Sequence, residues 1–382
     1  MNSFSFTIPQ NIVVGAGSLK RLPELAKNLK KSKAYIISGP HLEKIGMVDK
    51  CREALKAAGI ESDAFTQTEG NPSTDTVAKA AKGFKSSNAD FIVAFGGGSP
   101  LDVAKAVAVI ASYGGNITDY EGGGKVPGAV VPMIAIPTTA GTGSEVTAFS
   151  VITDHSRNYK LTVVSNYLLP AYAILDPELI TTVPKSTAAA CGIDAMVHAL
   201  EAFISKAASP FSDLFAKEAL RLIGTSIRDY VLDRSNLAAC EAMLTGSLFA
   251  GIAFSHARLG DVHAMSHPVS AYFDVAHGVA NAVLLPTIVD YNMTYASEKY
   301  KYIYDCICEK PLSDDAFTPE MLAAEIRVLN DELGIPSSLS EVGVDSSLFD
   351  KMADDAMKSG NILVNPRPTT KKDILALYAQ AF

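Results

Sequence analysis

The feature that most constrains the fold is a change of sequence pattern near residue 183. Before this point, short β-rich runs alternate with amphipathic segments, and residues 34–38, 91–95 and 133–136 form continuous apolar runs. Such runs are typical of parallel strands buried on both faces. Helical segments predicted at 47–58 and 74–85 separate them. The first part of the chain therefore predicts a parallel βαβ sheet, a fold that often binds nucleotides.

From Pro184 onward the chain has a helical pattern. Ala, Leu and Met dominate, and β-branched runs become rare. Residues 184–186 are typical of a helix start, with Ser186 or Thr187 as its cap. We therefore predict an α/β domain over residues 1–183 and an all-helical domain over residues 184–382. A chain of 382 residues fits two domains, since one domain has roughly 150 residues.

Composition excludes several classes of protein. Hydrophobic residues make up 48% of the chain and charged residues 19%, which excludes a disordered protein. The 33 Lys and Arg against 41 Asp and Glu give a net charge of -8 with no basic block, so nucleic acid and anionic membranes are not expected partners. We expect no signal peptide and no apolar run near the roughly 18 residues of a membrane span. The five scattered cysteines indicate a reduced, cytoplasmic protein.

Two glycine-containing loops follow predicted strands. In the first, Gly96, Gly97, Gly98 and Ser99 join a strand to a predicted helix. Glycine lets the backbone approach a ligand closely, and a helix N-terminus attracts pyrophosphate. The second loop, residues 137–147, is dense in Thr, Ser and Gly, whose hydroxyl and N–H groups bind phosphate or ribose oxygens. Each loop alone is also compatible with a plain turn, but together they favour a bound nucleotide.

Histidine and aspartate residues in the second part favour a metal site. Asp194 and His198 are four residues apart on a predicted helix, so they share one face. His263 and His267 repeat this spacing, and His277 follows ten residues later. A carboxylate with imidazoles and no thiolate suits Fe(II), Zn(II), Mn or Co rather than a structural zinc. Spacing alone leaves open which of His263 and His267 binds the metal, and whether His256 shares their face.

These motifs, in this order, resemble the iron-containing (group III) alcohol dehydrogenase family. The resemblance runs nearly end to end, through residues 70–72, 96–105, 137–147, Lys160, 176–177, 192–198 and 260–286. It implies a Rossmann-like N-terminal domain with a parallel sheet and an all-helical C-terminal domain, an architecture like that of dehydroquinate synthase. It also implies an NAD(P)-dependent alcohol dehydrogenase or aldehyde reductase that acts on short-chain primary alcohols, and at least a homodimer.

The resemblance also implies the roles of individual residues. It implies that the metal, Fe(II) or alternatively Zn(II), is bound by Asp194, His198, His263 and His277. His267 would lie beside the metal as a proton-relay residue. Gly97, Gly98 and Ser99 would hold the pyrophosphate of NAD(H) or NADP(H). The remaining cofactor-binding positions implied are Gly39, Asn71, Asp102, Thr138, Thr139, Thr142, Thr147 and Lys160. The implied chemistry is metal stabilisation of the alkoxide, followed by hydride transfer to nicotinamide.

Three departures from the family pattern involve four positions. Gly39 stands where many members have an Asp that repels a 2′-phosphate, so NADPH becomes plausible beside NADH, with a slight preference for NAD. Nearby Ser38 is a candidate donor to such a phosphate. His256 and Asp261 replace the usual Asn and a small or apolar residue; His256 is either a packed histidine or one that recognises an anionic or hydroxylated substrate. Ala276 replaces a proline before His277, which frees the backbone there.

Two other functions compete with this interpretation. The same fold serves charged or polyol substrates, such as sulfonated or carboxylated aldehydes and glycerol-type compounds. Phosphorylated substrates call for several Lys or Arg residues, which are few between Pro184 and Pro286. A cofactor-binding or filament-forming protein without turnover has no reason to retain four metal ligands together.

Overall fold

The computed structural model describes residues 4–8 and 10–382. The chain divides into two compact units. One, the sheet unit, comprises residues 8–139 and 143–181. The other, the helical unit, comprises residues 182–382 together with 140–142 and 4–7. The assignment of functional domains to residues 1–183 and 184–382 stays a prediction.

The sheet unit alternates strands and helices, as the apolar runs predicted. Its elements are β1 (Asn11–Val14), α1 (Leu22–Asn28), β2 (Lys33–Ile37), α2 (Pro40–Lys44), α3 (Met47–Ala57), β3 (Glu61–Phe65), α4 (Thr74–Ser87), β4 (Phe91–Gly96), α5 (Gly98–Tyr113), β5 (Gly122–Gly123), β6 (Met133–Pro137), β7 (Phe149–Asp154), β8 (Tyr159–Val164) and β9 (Tyr172–Leu175). Short 3₁₀ helices lie at Ser18–Arg21, Ile117–Tyr120, Ser144–Val146, Asn166–Leu168 and Pro177–Ile180.

Six of these strands form a parallel sheet within the described residues. Their order is β1-β9-β6-β4-β2-β3, and every neighbouring pair is parallel. Side chains alternate across it: Tyr35 and Ile92 pack with α4 and α5, while Ile36 and Val93 pack with α1 and α3. Strand β4 is buried along its whole length, because helices cover both faces of the sheet. The predicted parallel sheet with flanking helices is confirmed.

A smaller sheet, which the sequence patterns did not predict, also belongs to this unit. Strands β7 and β8 form an antiparallel hairpin from Phe149↔Val164 to Asp154↔Tyr159, and β5 pairs with β8. The turn ends at Asn158, whose φ of 48° lies in the left-handed region that Asn tolerates. The hairpin holds the end of the second loop, since β7 begins at Phe149, two residues after Thr147.

The helical unit contains long helices, as predicted from residue 184 onward. They are α6 (Lys185–Ile204), α7 (Pro210–Leu232), α8 (Leu237–Ala257), α9 (Asp261–Phe273), α10 (His277–Ile307), α11 (Glu320–Glu332), α12 (Phe349–Lys358) and α13 (Lys371–Ala381). Short 3₁₀ helices lie at Asp314–Ala316, Ser346–Leu348 and Gly360–Val364. The predicted cap by Ser186 or Thr187 is wrong, because α6 begins one residue earlier with Pro184 as its N-cap and no side-chain cap hydrogen bond.

Helix α6 is the central element of this unit. It contacts α7, α8 and α10, and nearly all of its residues are buried. Small residues allow the close approach: a Cβ on Gly192 would lie 2.9 Å from Ile227 on α7 and 3.1 Å from Met243 on α8. A helix with so much apolar surface is stable only when other helices cover it in this way.

Two helices meet the length and hydropathy of a membrane span, which corrects the expectation that no run comes near that length. They are α6 and α8, and 89% and 67% of their most apolar windows are buried within the fold. That burial is typical of core helices.

Candidate metal centre and cofactor loops

Helix α6 presents three buried polar side chains on one face. Asp194, His198 and Glu201 follow one another at spacings of four and three residues, so they are stacked along the helix. Each is less than 5% exposed. Because buried polar groups require partners, this face must meet other polar groups.

Helices α9 and α10 bring two further histidines to this face. His263 lies in the first turn of α9, and His277 is the first residue of α10. Gly278 allows the start of α10 to approach α6, because a Cβ there would overlap the carbonyl of Ala190. The position of His277 therefore depends on the absence of a side chain at its neighbour.

Three of the predicted ligands converge. One donor atom each from Asp194, His263 and His277 lies within 4.8 Å of the others. Asp194 Oδ1 is 3.8 Å from Nε2 of His263 and 3.8 Å from Nε2 of His277. Ligand atoms on one tetrahedral ion with bonds of about 2.1 Å are about 3.4 Å apart, so shifts of a few tenths of an ångström accommodate an ion.

His198 lies beside this group. Its Nε2 is 3.9 Å from Asp194 Oδ1, and its ring stacks on those of His263 and Phe254. Its Nδ1 is 3.3 Å from the carbonyl oxygen of Gly141. A carbonyl accepts only from a protonated nitrogen, so the Nε2 lone pair is left facing Asp194. The structure thus brings together all four residues predicted as ligands.

The chemistry of these donors fits a divalent ion. Burial and the nearby His198 lower the pKa of His263 well below its usual value, which keeps the imidazole in the neutral form that binds metals. One carboxylate with imidazoles suits Fe(II) and also Zn(II). The side-chain amide of Asn281 shows that these donor atoms face the same point. Its Nδ2 donates to Asp194 Oδ1 at 2.6 Å and lies 3.1 and 3.2 Å from Nε2 of His263 and His277.

Sequence reasoning missed Asn281 and Glu201. Asn281 follows His277 by four residues on α10, and Glu201 follows His198 by three on α6. The spacing rule that linked Asp194 with His198 would have found both. The carboxylate of Glu201 lies 2.6 Å from Nδ1 of His263, on the side of the ring opposite the other ligands.

The remaining candidates of the second part lie outside the three-residue group. The half-buried ring of His267 is 5.3 Å from that of His277 and 6.3 Å from that of His263. His256 packs on Phe6 at 4.2 Å and bonds to the nearby backbone, which agrees with a packed histidine. Asp261 is fully buried, and this burial raises its pKa to about 7. It accepts a hydrogen bond from Thr369.

The first glycine loop forms the N-terminus of α5. Gly97 is the N-cap, and Gly98 and Ser99 begin the helix, so unpaired backbone N–H groups project from this end. Gly96 has a φ of 156°, and a Cβ on Gly97 would lie 3.1 Å from Thr139 Oγ1. A 16-residue helix beginning with such residues can bind an anion.

The second loop lies beside the first because β4 and β6 are neighbours in the sheet. The N–H of Thr138 donates to the carbonyl of Gly96 at 2.9 Å. The side chain of Thr139 lies next to Gly97, where a Cβ on the glycine would come within 3.1 Å of Thr139 Oγ1. Thr142 belongs to the segment 140–142 of the helical unit, in which a Cβ on Gly141 would lie 2.9 Å from Cys191. Parallel sheets bind ligands at the carboxyl ends of their strands, where Thr138 and Thr139 lie.

Buried ionic groups hold the end of this loop. The ammonium of Lys105 donates to Ser144 Oγ, to the carbonyl and hydroxyl of Thr147, and to the carbonyl of Phe149, at 2.8–3.1 Å. The carboxylate of Asp102, predicted to bind the cofactor, accepts from Ser144 and from the N–H of Val151. Burial lowers the pKa of Lys105 to about 8 and raises that of Asp102.

The other predicted cofactor residues lie elsewhere in the sheet unit. Lys160 donates to Asn71 Oδ1 at 2.7 Å. Gly39 follows β2 as the N-cap of α2, and a Cβ there would lie 3.2 Å from the carbonyl oxygen of Thr68. Ser38 is fully buried, so its hydroxyl does not face solvent as a donor to a 2′-phosphate would.

Comparisons with known proteins cover the whole chain. Residues 9–177 match the model of iron-containing alcohol dehydrogenase, and residues 188–382 match its C-terminal family. The 1,3-propanediol dehydrogenase of Klebsiella pneumoniae is 38% identical, covering 99% of both chains. The NAD-dependent methanol dehydrogenase of Bacillus methanolicus is 34% identical over 99% of both, and the sulfoacetaldehyde reductase of Bilophila wadsworthia is 36% identical over 98% of this chain and 97% of that one.

Solved structures agree with these matches. A 1,3-propanediol oxidoreductase has a TM-score of 0.95 at 38% identity, with both chains fully covered. Sulfoacetaldehyde reductase from Bifidobacterium kashiwanohense, in complex with NAD⁺, has a TM-score of 0.88 at 28% identity, covering 100% of this chain and 99% of that one. The fold and these similarities define an enzyme that interconverts alcohols and aldehydes. The chain belongs to the iron-containing alcohol dehydrogenase family.

Proposed function

We propose that this enzyme uses Fe(II) and NAD(H) to interconvert short-chain primary alcohols and aldehydes. The observation that carries the proposal is the convergence of Asp194, His263 and His277, with His198 beside them. Four such donors in an otherwise apolar helical core are costly to bury, and a divalent ion compensates for that burial.

The ion and the residues around it have separate roles. When bound, a divalent metal supplies Lewis acidity that stabilises negative charge on the substrate oxygen. Asp194, His198, His263 and His277 hold the ion. His267 is assigned to move the proton, because its half-buried imidazole lies next to His277 without belonging to the ligand group.

The loops of the sheet unit are assigned to the nicotinamide cofactor, which accepts or supplies the hydride. The N–H groups of Gly97, Gly98 and Ser99 bind the pyrophosphate. The other positions assigned to this site are Gly39, Asn71, Asp102, Thr138, Thr139, Thr142, Thr147 and Lys160. Their support is the placement of Gly39, Gly97 and Thr138 at the carboxyl ends of β2, β4 and β6, which are neighbours in the sheet.

NAD(H) is proposed first, with NADP(H) as the second cofactor. The methanol dehydrogenase relative is named NAD-dependent, and the solved sulfoacetaldehyde reductase contains NAD⁺. Gly39 provides no carboxylate to repel a 2′-phosphate, which supports use of both NAD(H) and NADP(H).

Zn(II) is the alternative metal, because one carboxylate with imidazoles suits Zn(II) as well as Fe(II).

A charged or polyol substrate is the alternative to a short unsubstituted aldehyde. The relatives named for 1,3-propanediol and for sulfoacetaldehyde support this alternative.

We also propose a cytoplasmic homodimer or larger homo-oligomer. The five free cysteines support a reducing compartment, and light scattering on the purified protein tests the oligomeric state.

The test is anaerobic purification with Fe(II), followed by oxidation of NADH or NADPH in the presence of propanal or sulfoacetaldehyde. We expect turnover with propanal that a chelator abolishes and Fe(II) restores. Turnover with sulfoacetaldehyde alone would replace the short-aldehyde proposal by the charged-substrate alternative. Turnover that survives complete metal removal would overturn the metal-dependent proposal.

A further inference from the structure

Glu201 is a buried acid on α6 that contacts the Nδ1 side of the His263 ring. Its side chain is 2% exposed, and Oε2 lies 2.6 Å from His263 Nδ1. A carboxylate at this distance requires hydrogen on Nδ1, because two acceptors would repel each other. The lone pair of His263 is then on Nε2, the atom that faces Asp194 at 3.8 Å.

The second oxygen of Glu201 caps the helix that carries His263. Oε1 accepts from the N–H of Val262 at 2.7 Å, and the backbone of Gly260 also bonds to this carboxylate. Helix α9 has no capping hydrogen bond from its own N-cap, Gly260. A carboxyl oxygen at a helix N-terminus accepts hydrogen bonds from backbone N–H groups that have no partner within the helix. One side chain from α6 therefore fixes both the backbone of α9 and the ring of its histidine.

Gly260 makes room for this contact. A Cβ at this position would lie 2.9 Å from Glu201 Oε1 and 3.0 Å from Asn365 Oδ1. Any side chain at this position would displace the carboxylate of Glu201 or the amide of Asn365. Glycine is therefore required because these two groups approach the backbone closely, and not because of a positive φ.

We propose that Glu201 is a positioning residue that holds His263 in the Nε2-ligating tautomer and orientation and thereby sets metal affinity. The inference rests on the proposed function, since it concerns the same metal. His198 has the equivalent arrangement, with Nδ1 facing the carbonyl of Gly141 and Nε2 facing Asp194. Partners of this kind on the distal nitrogen typically change metal affinity 10–100-fold.

Glu201→Gln is the sharpest variant. Both oxygens of Glu201 accept hydrogen bonds, one from Val262 and one from His263. A glutamine of the same shape must turn its NH₂ towards one of these donors, so one contact becomes repulsive whichever way the amide is oriented. Gly260→Ala tests the same contact without removing the acid, because the added methyl group displaces it.

Asp261→Asn is the matched control. Asp261 is also a fully buried acid at the start of α9, but its carboxylate accepts from Thr369 and contacts no histidine. Replacing it by Asn removes a buried acid from the same helix terminus and leaves the bond from Glu201 to His263 in place.

The experiment measures Co(II) binding to full-length protein by chelator competition and by the visible d–d spectrum, with thermal unfolding of the metal-free proteins in parallel. We expect 10–100-fold weaker Co(II) binding and an altered spectrum in Glu201→Gln, a smaller loss in Gly260→Ala, and binding within about twofold of wild type in Asp261→Asn. Unchanged affinity and spectrum in Glu201→Gln, or an equal loss in Asp261→Asn, would overturn the inference. Failure of the wild-type protein to bind Co(II) or Fe(II) would instead refute the proposed metal site.

Discussion

The candidate metal centre and the cofactor loops are built by opposite means. The loops are continuous segments at strand ends, and the parallel sheet alone brings Gly97 and Thr139 together. The metal centre takes side chains from α6, α9 and α10, and its contacts join residues as far apart in sequence as Asp194 and Asn281. The loops therefore depend on local backbone conformation, whereas the metal centre depends on how closely helices approach one another.

The strongest test of this difference is His263→Ala. Removing a ligand should abolish metal binding and lower kcat by more than about 100-fold, beyond the effect of an indirect contact. NADH affinity, measured by fluorescence titration, should stay unchanged because Gly97, Gly98 and Ser99, which are assigned to the pyrophosphate, lie in the sheet unit. His155→Ala, at an exposed turn, serves as the control. Loss of NADH binding in His263→Ala would show that the two regions are not independent.

Lys105→Met tests the sheet unit. The variant loses the buried hydrogen bonds from Lys105 to Ser144, Thr147 and Phe149, so we expect destabilisation of about 3 kcal/mol and a higher KM for NADH. Urea unfolding measures the first effect and steady-state kinetics the second. Lys85→Met, at an exposed site on α4, should change stability by less than about 0.5 kcal/mol. A wild-type KM for NADH would argue against a role of Lys105 in shaping the loop.

Gly278→Ala tests helix approach. The added methyl group overlaps the carbonyl of Ala190 and must push α10 away from α6, at about 1–3 kcal/mol. Because His277 precedes this residue, Fe(II) content after anaerobic dialysis should fall as well. Gly123→Ala adds a methyl group where nothing lies within 4 Å and should retain its metal. Full metal content in Gly278→Ala would mean that the centre tolerates a wider helix spacing.

Gly39→Asp sharpens the assignment of the sheet unit. A carboxylate at the end of β2 should bond to the adenosine ribose and repel a 2′-phosphate, so the NADPH-to-NADH ratio of kcat/KM should fall about tenfold, or about 1.4 kcal/mol. Gly39→Ala adds the same Cβ, 3.2 Å from the Thr68 carbonyl, without the charge. An equal fall in Gly39→Ala would assign the effect to packing instead.

Ala276→Pro should have the smallest effect. Ala276 has a φ of −55°, within the range that proline adopts. Proline should therefore stabilise the protein by about 0.4–1 kcal/mol by restricting the unfolded chain, seen as a higher Tm. A lower Tm would show that the segment before His277 needs the freedom that alanine gives it.

The sequence predicted the two regions unequally for a physical reason. Strand-end loops are contiguous, so the glycines of residues 96–98 and the threonines of 137–147 were found from their local pattern. Asp194 and His198 were found because they share a helix face. Glu201 and Asn281 share helix faces with His198 and His277, so the spacing rule marks them as candidates, but their partners are 62 and 87 residues away on other helices. Helix packing decides which of these groups meet, and no local pattern predicts that.

The burial of α6 has a consequence for the timescale of motion at the metal centre. Backbone amides in a helix that is covered on all sides exchange hydrogen with solvent only through rare, large-scale opening. Asp194, His198 and Glu201 lie on such a helix, whereas His277 is the first residue of α10, where helices fray. Opening of the centre should therefore begin at His277, while the α6 residues remain fixed in their slowly exchanging segment.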